Sequence, residues 1–415
     1  MKVAMIAQPY DGLLPPNQNS IGLIAYNTAM ELGRKVDLTL FGRRDSRSQV
    51  VNDLPFDLSY ISGRSDDVVQ YVNSHYPRWA RRLGMSEAAD SYPGFARAVA
   101  KDLDRSDYSV VHVMNYWAWC RRLAAPAKNR RLVLEMQAEW LSQMDEGSVR
   151  RELEAADAVI AVSDHIARLF RATFPGYRGK VVTAYNGVDL DTFRPGESRR
   201  ARPVDELPIL FVGRVSPEKG IHTLIEAFAR IAAVEERARL KIVGARATLR
   251  PDFIVWISSD PLVSALSRFY GGSEGSDYQG HLDSLVRKLG LEDKVQFVGK
   301  VPHKELPDWY RASSLVVNPS LSESFGISIV EGMACGAPVV GTRVGGMLET
   351  IVDGHTGRLV EAERPDLLAD AVLSLLNNPS MAAEMGRHGR ERAVENFSWA
   401  ARADRLISAY RLVCN

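Results

Sequence analysis

Short runs of almost unbroken apolar residues alternate with amphipathic stretches along the chain, and this alternation restricts the fold more than any other feature. In the first half, VAMIA (3–7), VDLTLF (36–41), VVHVM (110–114), RLVLEM (131–136) and AVIAVS (158–163) read as strands. Helical patterns such as GLIAYNTAMEL (22–32) and FARAVAKDLDR (95–105) lie between them. Strands apolar on both faces must be covered on both faces, the habit of a parallel sheet flanked by helices. KVVTAYNGVDLDTFRP (180–195) closes this half with a strand and an Asn-Gly turn.

The polar stretch GESRRARPVDEL (196–207) reads as a linker, after which the alternation restarts. LPILFVG (207–213), LKIVG (240–244), VQFVG (295–299), LVVNPS (315–320), APVVGT (337–342) and GRLVE (357–361) are strand-like, with helices expected at 220–234, 281–289 and 326–334. The expected fold class is α/β: two Rossmann-like, doubly wound parallel-sheet domains, 1–195 and 205–396, facing one another across a cleft. An amphipathic helix at 397–415 is expected to pack back on the first domain. A chain of 415 residues is long enough for two full cores. Residues 245–280, with Pro251, Pro261 and Gly271-Gly272, break the rhythm and read as an insertion of no legible function.

Composition excludes several classes. With 46% apolar and 25% charged residues and a net charge of +1, nothing in the total draws the chain to nucleic acid or an acidic membrane. Clusters such as Arg78, Arg81 and Arg82 read as solvated surface. Cys120, Cys335 and Cys414 are odd in number and far apart, which suits a reducing cytoplasm and offers neither a disulfide framework nor a metal-ligand spacing. The strand pattern KVAMIA at 2–7 leaves a signal peptide unexpected. No apolar run approaches the ~20 residues of a spanning helix, so a soluble or at most peripheral protein is expected.

Two segments carry chemistry. In ESFGISIVE (323–331), Glu323 and Glu331 flank a Ser-Phe-Gly turn between a strand and a helix. A helix start presents unbonded backbone N–H groups to an anion, and carboxylates on either side suit hydroxyls at both ends of the ligand. A nucleotide sugar has that shape. In FVGRVSPEKG (211–220), Arg214 and Lys219 frame a turn at a strand's carboxyl end, where two cations can neutralise a diphosphate. Taken alone, this turn reads equally as an exposed basic loop. A dinucleotide dehydrogenase fits less well, because no G-x-G-x-x-G opens either half.

GRxxxxKG followed about a hundred residues later by ESFGxxxxE resembles the retaining glycosyltransferases of glycosyltransferase family 4, which have the GT-B fold. The resemblance extends through VGK (298–300), NPSLSESFG (318–326), EGMACGAPVVGTRVGG (331–346) and DGHTGRLV (353–360), and more weakly through AVSDH (161–165) and NGVD (186–189). It implies that Arg214, Lys219 and Glu323 are catalytic, the cations holding the donor's diphosphate and Glu323 the sugar hydroxyls. Phe325, Gly326 and Ile327 would add backbone contacts, Glu331 would take the ribose, and Lys300 and Val301 would lie along the base. Ser20, Gly22, Gly213 and Gly244 complete the implied donor set. UDP is the expected nucleotide, with no metal and no cofactor, and the acceptor would be a saccharide, a lipid or a small metabolite. A cytoplasmic enzyme with no nucleic-acid partner follows.

The first half departs from the family pattern. Family members carry a Gly-Gly pair after the first strand; here Asn19-Ser20 stands in its place. Either the asparagine keeps a left-handed turn and Ser20 reaches a phosphate, or the loop is re-aimed for the acceptor. Where the family has H-x-H, this chain has His112 and Met114. His112 reads as a cleft residue or a hydrogen-bonded core histidine. Tyr10, Asn115, Tyr116 and Gln137 join it as acceptor candidates, with ordinary surface polarity as the alternative for Gln137. Three other readings stay open: a sugar-nucleotide epimerase or phosphorylase of the same fold, or a catalytically silent sugar-nucleotide-binding protein.

Overall fold

The computed structural model describes the chain except residues 11, 16–17, 44–52, 62–63, 77–91, 125–129, 197–204, 249–254, 256–257 and 271–277. Most of the expected linker, the Arg78, Arg81 and Arg82 cluster, Pro251 and Gly271-Gly272 therefore lie outside the described residues. The chain divides into two compact units, Met1–Gly187 with Trp399–Asn415, and Val188–Ser398.

The first unit is built on β1 (Lys2–Ile6), β2 (Asp37–Arg43), β3 (Asp57–Ile61), β4 (Val110–Met114), β5 (Arg131–Met136), β6 (Ala158–Ala161) and β7 (Lys180–Thr183). They form one sheet in the order β3-β2-β1-β4-β5-β6-β7, every pairing parallel. Val3, Met5, Val110 and Val133 are fully buried, as strands covered on both faces require. Helix α1 (Ser20–Leu32) packs Ile24, Ala25, Ala29 and Leu32 into the same core, and the C-terminal helix Trp399–Cys414 adds Ala403, Leu406 and Tyr410.

The second unit carries β8 (Leu207–Val212), β9 (Ala238–Val243), β10 (Val295–Gly299), β11 (Leu315–Asn318), β12 (Val339–Thr342) and β13 (Arg358–Val360). Their order is β10-β9-β8-β11-β12-β13, again with every pairing parallel. Both sheets reverse their winding beside their first strand, between β1 and β4 and between β8 and β11. Such a reversal opens a crevice past the strands' carboxyl ends, where ligands of open α/β sheets bind. In the second unit that point is flanked by Gly213-Arg214 after β8 and by the Pro319–Gly326 loop after β11.

The insertion is more than a loop. Short helical turns at Pro261–Ser264 and Ala265–Phe269 place Val255, Val263 and Leu266 in a small apolar cluster with Leu321, which belongs to the NPSLSESFG segment. Strand β3, with its polar, half-exposed pattern, carries no strong apolar signal and was not expected from the sequence. Among the described residues, no helix is long and apolar enough to cross a membrane.

Candidate active site

Two loops meet at the switch point of the second unit. The amide N–H of Leu321 donates to the carbonyl of Glu218 at 2.8 Å, tying the loop after β11 to the turn after β8. Gly220 makes this approach possible. Its φ is +66°, and a Cβ there would stand 2.1 Å from the carbonyl oxygen of Pro319. The joined loops bring Lys219 Nζ to 2.8 Å from Glu323 Oε2 although 104 positions separate the two residues.

Glu323 is also approached by Asn318 Nδ2 at 3.4 Å and Ser320 Oγ at 3.5 Å. Burial alone would raise its pKa, but Lys219, Asn318 and the backbone N–H of Gly326 overcome that and hold it below the usual glutamate range. The glutamate is thus an anion next to a cation. Gly346 N–H donates to the Glu323 carbonyl at 2.8 Å and fixes the backbone from the far side. Gly326, at φ +88°, ends the turn and starts helix α2 (Ile327–Ala334). The first turn of any α-helix presents N–H groups without intrahelical partners.

Arg214 is anchored from below. Its Nε donates to Ser216 Oγ at 3.3 Å and its Nη2 to Glu218 Oε1 at 3.4 Å, while its side chain keeps 37% exposure. Glu218 is almost fully buried, and its Oε2 has no hydrogen-bond partner among the described residues. Glu331, one helical turn beyond Ile327, is buried as well. Tyr310 OH donates to its Oε2 at 2.8 Å, and His303 Nε2–H to its Oε1 at 2.7 Å. Phe325 is buried, Ile327 and Val301 are half-buried, and Lys300 is exposed at the end of β10. Gly213 and Gly244 end adjacent strands, with Gly213 N–H bonded to the Val243 carbonyl at 2.9 Å.

The first unit corrects several expectations. Asn19 is not in a left-handed turn: its φ of −86° and ψ of 177° are extended, and its side chain caps α1 by accepting from Gly22 N–H at 2.8 Å. Ser20 is exposed at the helix start, and Gly22 spends its amide on the cap. His112 is a core residue with no exposed surface, its ring held between Tyr410 OH at 2.6 Å and Glu135 Oε2 at 3.0 Å. Gln137 is likewise buried and donates to Glu135 and to Asn186. Asn115 is 3% exposed with a φ of +60°; its Oδ1 accepts from Gln137 N–H at 2.8 Å, and its Nδ2 is buried without a partner among the described residues. Of the acceptor candidates, Tyr10 and Tyr116 reach the surface, their ring centroids 6.2 Å apart.

The charge that organises this core carries no local sequence signal. Arg402, fully buried on the C-terminal helix, donates to both oxygens of Glu135 at 2.7 Å, to Thr28 Oγ1 at 2.8 Å and to the Ala184 carbonyl at 2.9 Å. Burial opposes ionisation of Glu135, yet Arg402, His112 and Gln137 together bring its pKa down to about 2. His303 and Tyr310 also gave no sequence signal, since each meets Glu331 only through the fold.

The fold and this site together define a class: a protein of two Rossmann-like units, one bearing Arg214 and Lys219 on the turn after its first strand, each against a carboxylate. Residues 197–392 match the family profile described as Glycosyl transferases group 1, and residues 22–192 that described as Glycosyltransferase Family 4. D-inositol 3-phosphate glycosyltransferase 2 of Catenulispora acidiphila is 38% identical over 265 residues, covering 62% of this chain and 56% of that protein. D-inositol 3-phosphate glycosyltransferase 1 of the same organism is 31% identical over 328 residues, covering 74% and 72%. The chain thus spans little more than half the length of the first of these relatives. The crystal structure of Anabaena Alr3699/HepE in complex with UDP and glucose shares the fold at a TM-score of 0.68 and 18% identity, covering 98% of each chain. The chain belongs to glycosyltransferase family 4 and has the GT-B fold.

Proposed function

We propose that the protein is a retaining glycosyltransferase that moves a hexosyl group from a nucleoside-diphosphate sugar to a hydroxyl-bearing acceptor without a metal. The carrying observation is the 2.8 Å contact between Lys219 and Glu323 across two loops, with Arg214 on the same turn as Lys219 and a helix starting at Ile327 just past Glu323. Breaking a sugar–phosphate bond builds negative charge on the departing oxygen, and fixed cations aimed at that charge lower the barrier. Arg214 and Lys219 supply the positive charge that a metal gives elsewhere. Glu323, held ionised, accepts from the sugar's hydroxyls and fixes its orientation.

In this reading the acceptor oxygen attacks the anomeric carbon from the face that the diphosphate leaves. The new C–O bond forms as the sugar–phosphate bond breaks, and the acceptor's proton passes to the leaving phosphate oxygen. The glycoside and a nucleoside diphosphate result, with the anomeric configuration kept. No side-chain base is needed, in keeping with Met114 in place of a histidine and with His112 in the core. UDP is the nucleotide to expect, supported by the UDP bound to the fold neighbour HepE. D-inositol 3-phosphate, for which the relatives are named, is the first acceptor to assay, ahead of saccharides and lipids.

The test is turnover. UDP-, GDP- and ADP-hexoses are incubated with candidate acceptors, products are read by mass spectrometry, and the anomer is assigned by NMR coupling constants. A glycoside with the donor's anomeric configuration is expected. An inverted product, or donor consumed only by free phosphate, overturns the proposal.

A further inference from the structure

Glu331 is the carboxylate that this reading gives to the ribose, yet both of its oxygens are engaged and its side chain is 5% exposed. Its two partners differ in kind. Tyr310 is fully buried on the helix Leu306–Ala312, and its hydroxyl is committed to Glu331 Oε2. His303 sits on a single turn, His303–Glu305, just past the loop at 299–301 that would lie along the base, and 39% of its side chain is exposed. Its ring rests against Phe193 with centroids 5.0 Å apart. A ribose approaching Glu331 from solvent therefore meets the imidazole first.

We propose that His303 is a positioning residue for the donor: its ring and the ribose hydroxyls compete for Glu331 Oε1, and the nucleotide binds by displacing the imidazole. The inference rests on the nucleotide-sugar reading of this site. The ring holds Oε1 oriented until a hydroxyl replaces it, so the buried carboxylate is not left with an unpaired oxygen. That matters because an unpaired buried carboxylate oxygen is costly.

The contest depends on charge. The groups facing His303 are Glu331 from helix α2, Asp189 from the segment before Phe193, and Tyr310 through the shared carboxylate; Lys304 and Glu305 on its own turn are exposed. Burial would lower the pKa of the imidazole, but the Glu331 and Asp189 carboxylates raise it above the ordinary histidine value. Displaced from Glu331, the ring loses the larger of these two attractions and its pKa falls back toward the ordinary histidine value. Donor binding therefore releases a proton at pH values between about 6.5 and the raised value, and affinity climbs with pH across that window, by at most about tenfold per unit for one proton. Below about 6.5 the ring is charged in both states and the slope vanishes.

The experiment is titration calorimetry of the full chain with UDP-glucose, whose diphosphate diester has no group titrating in this range. It is run from about pH 6 to about pH 8.5 in two buffers of different ionisation enthalpy. Wild type is expected to bind more tightly as pH rises and to release up to one proton. His303→Ala should bind about threefold to tenfold more tightly near neutral pH and lose both the slope and the proton release. His303→Gln, a neutral donor of similar reach that guards against misfolding, should also lose the slope. Donor KM should fall in His303→Ala while kcat holds. Binding with a slope that neither substitution alters, or weakened by His303→Ala, overturns this proposal alone. A wild-type chain that binds none of UDP-, GDP- or ADP-glucose overturns it together with the reading of the site.

Discussion

At the scale of single residues, the site is a set of charges that hold one another ready. Lys219 and Glu323 are each mostly buried, and neither is affordable there without the other. Lys219→Ala removes a cation from the departing diphosphate and leaves Glu323 without its counter-ion. We expect kcat to fall by about a hundredfold or more, the loss found when one charge-stabilising donor is removed. Glu323→Gln keeps the shape, the hydrogen bond from Asn318 and an amide oxygen that still accepts from Lys219, but loses the anion, so donor orientation should suffer and folding should suffer less than in Lys219→Ala. Steady-state kinetics beside a urea titration separates the two effects. The pH dependence follows from sign: a carboxyl whose folded pKa is depressed contributes stability above its unfolded value and loses it as pH falls through the folded one. Glu323 should therefore stay ionised through mildly acid pH, and donor binding below pH 6 should not be lost through it. Equal losses of stability in the two variants, with activity intact in either, would sink this account.

Among elements, the contrast lies between what neighbours in sequence reveal and what only the fold brings together. The alternation of apolar runs made nearly every strand legible, because a buried parallel strand announces itself over a few residues. The two loops that meet through Lys219 and Glu323 were legible too, since glycines, cations and carboxylates cluster within GRVSPEKG and SESFG. Arg402 was not. On the pattern of the C-terminal helix it looks like one more exposed arginine, and its partner Glu135 lies 267 positions away. His112 stayed open between cleft and core for the same reason: a strand's alternation says which face a residue takes, not whether a helix will cover that face. A buried ion pair is costly to break and nearly neutral to replace as a whole. Arg402→Met should lower unfolding free energy by about 3–5 kcal/mol, as expected for an abandoned buried charge. Adding Glu135→Gln, which keeps an oxygen for His112 and Gln137, should restore a good part of that loss, and a double-mutant cycle in urea measures the coupling. Additive losses would mean that the pair contributes nothing as a pair. Since Glu135 has its pKa lowered to about 2 from 4.5, the pair's contribution is full above about pH 4.5 and declines as pH falls toward about 2.

For the molecule as a whole, the consequence is that stability has two separate sources. The chain crosses between its units at Gly187–Val188 and again at Ser398–Trp399, so the first unit is closed by the last helix of the sequence. Its core holds Arg402 and Glu135, while Arg214, Lys219 and Glu331, the side chains proposed to hold the diphosphate and ribose, belong to the second unit. A ligand that binds only a folded site stabilises the unit holding that site, by about 2.7 kcal/mol at a hundred times Kd. A chain with two cores need not unfold in one step. Calorimetry with saturating UDP-glucose should raise the transition of the second unit. The Arg402→Met substitution should lower that of the first, so that the two perturbations together pull one endotherm into two. Hydrogen exchange assigns them: ligand should slow exchange in β8 and β11, and the substitution should speed it in β4 and β5. If ligand and substitution shift a single endotherm as one, with protection changing equally in both sheets, the units unfold as a single cooperative body and this division of stability is wrong.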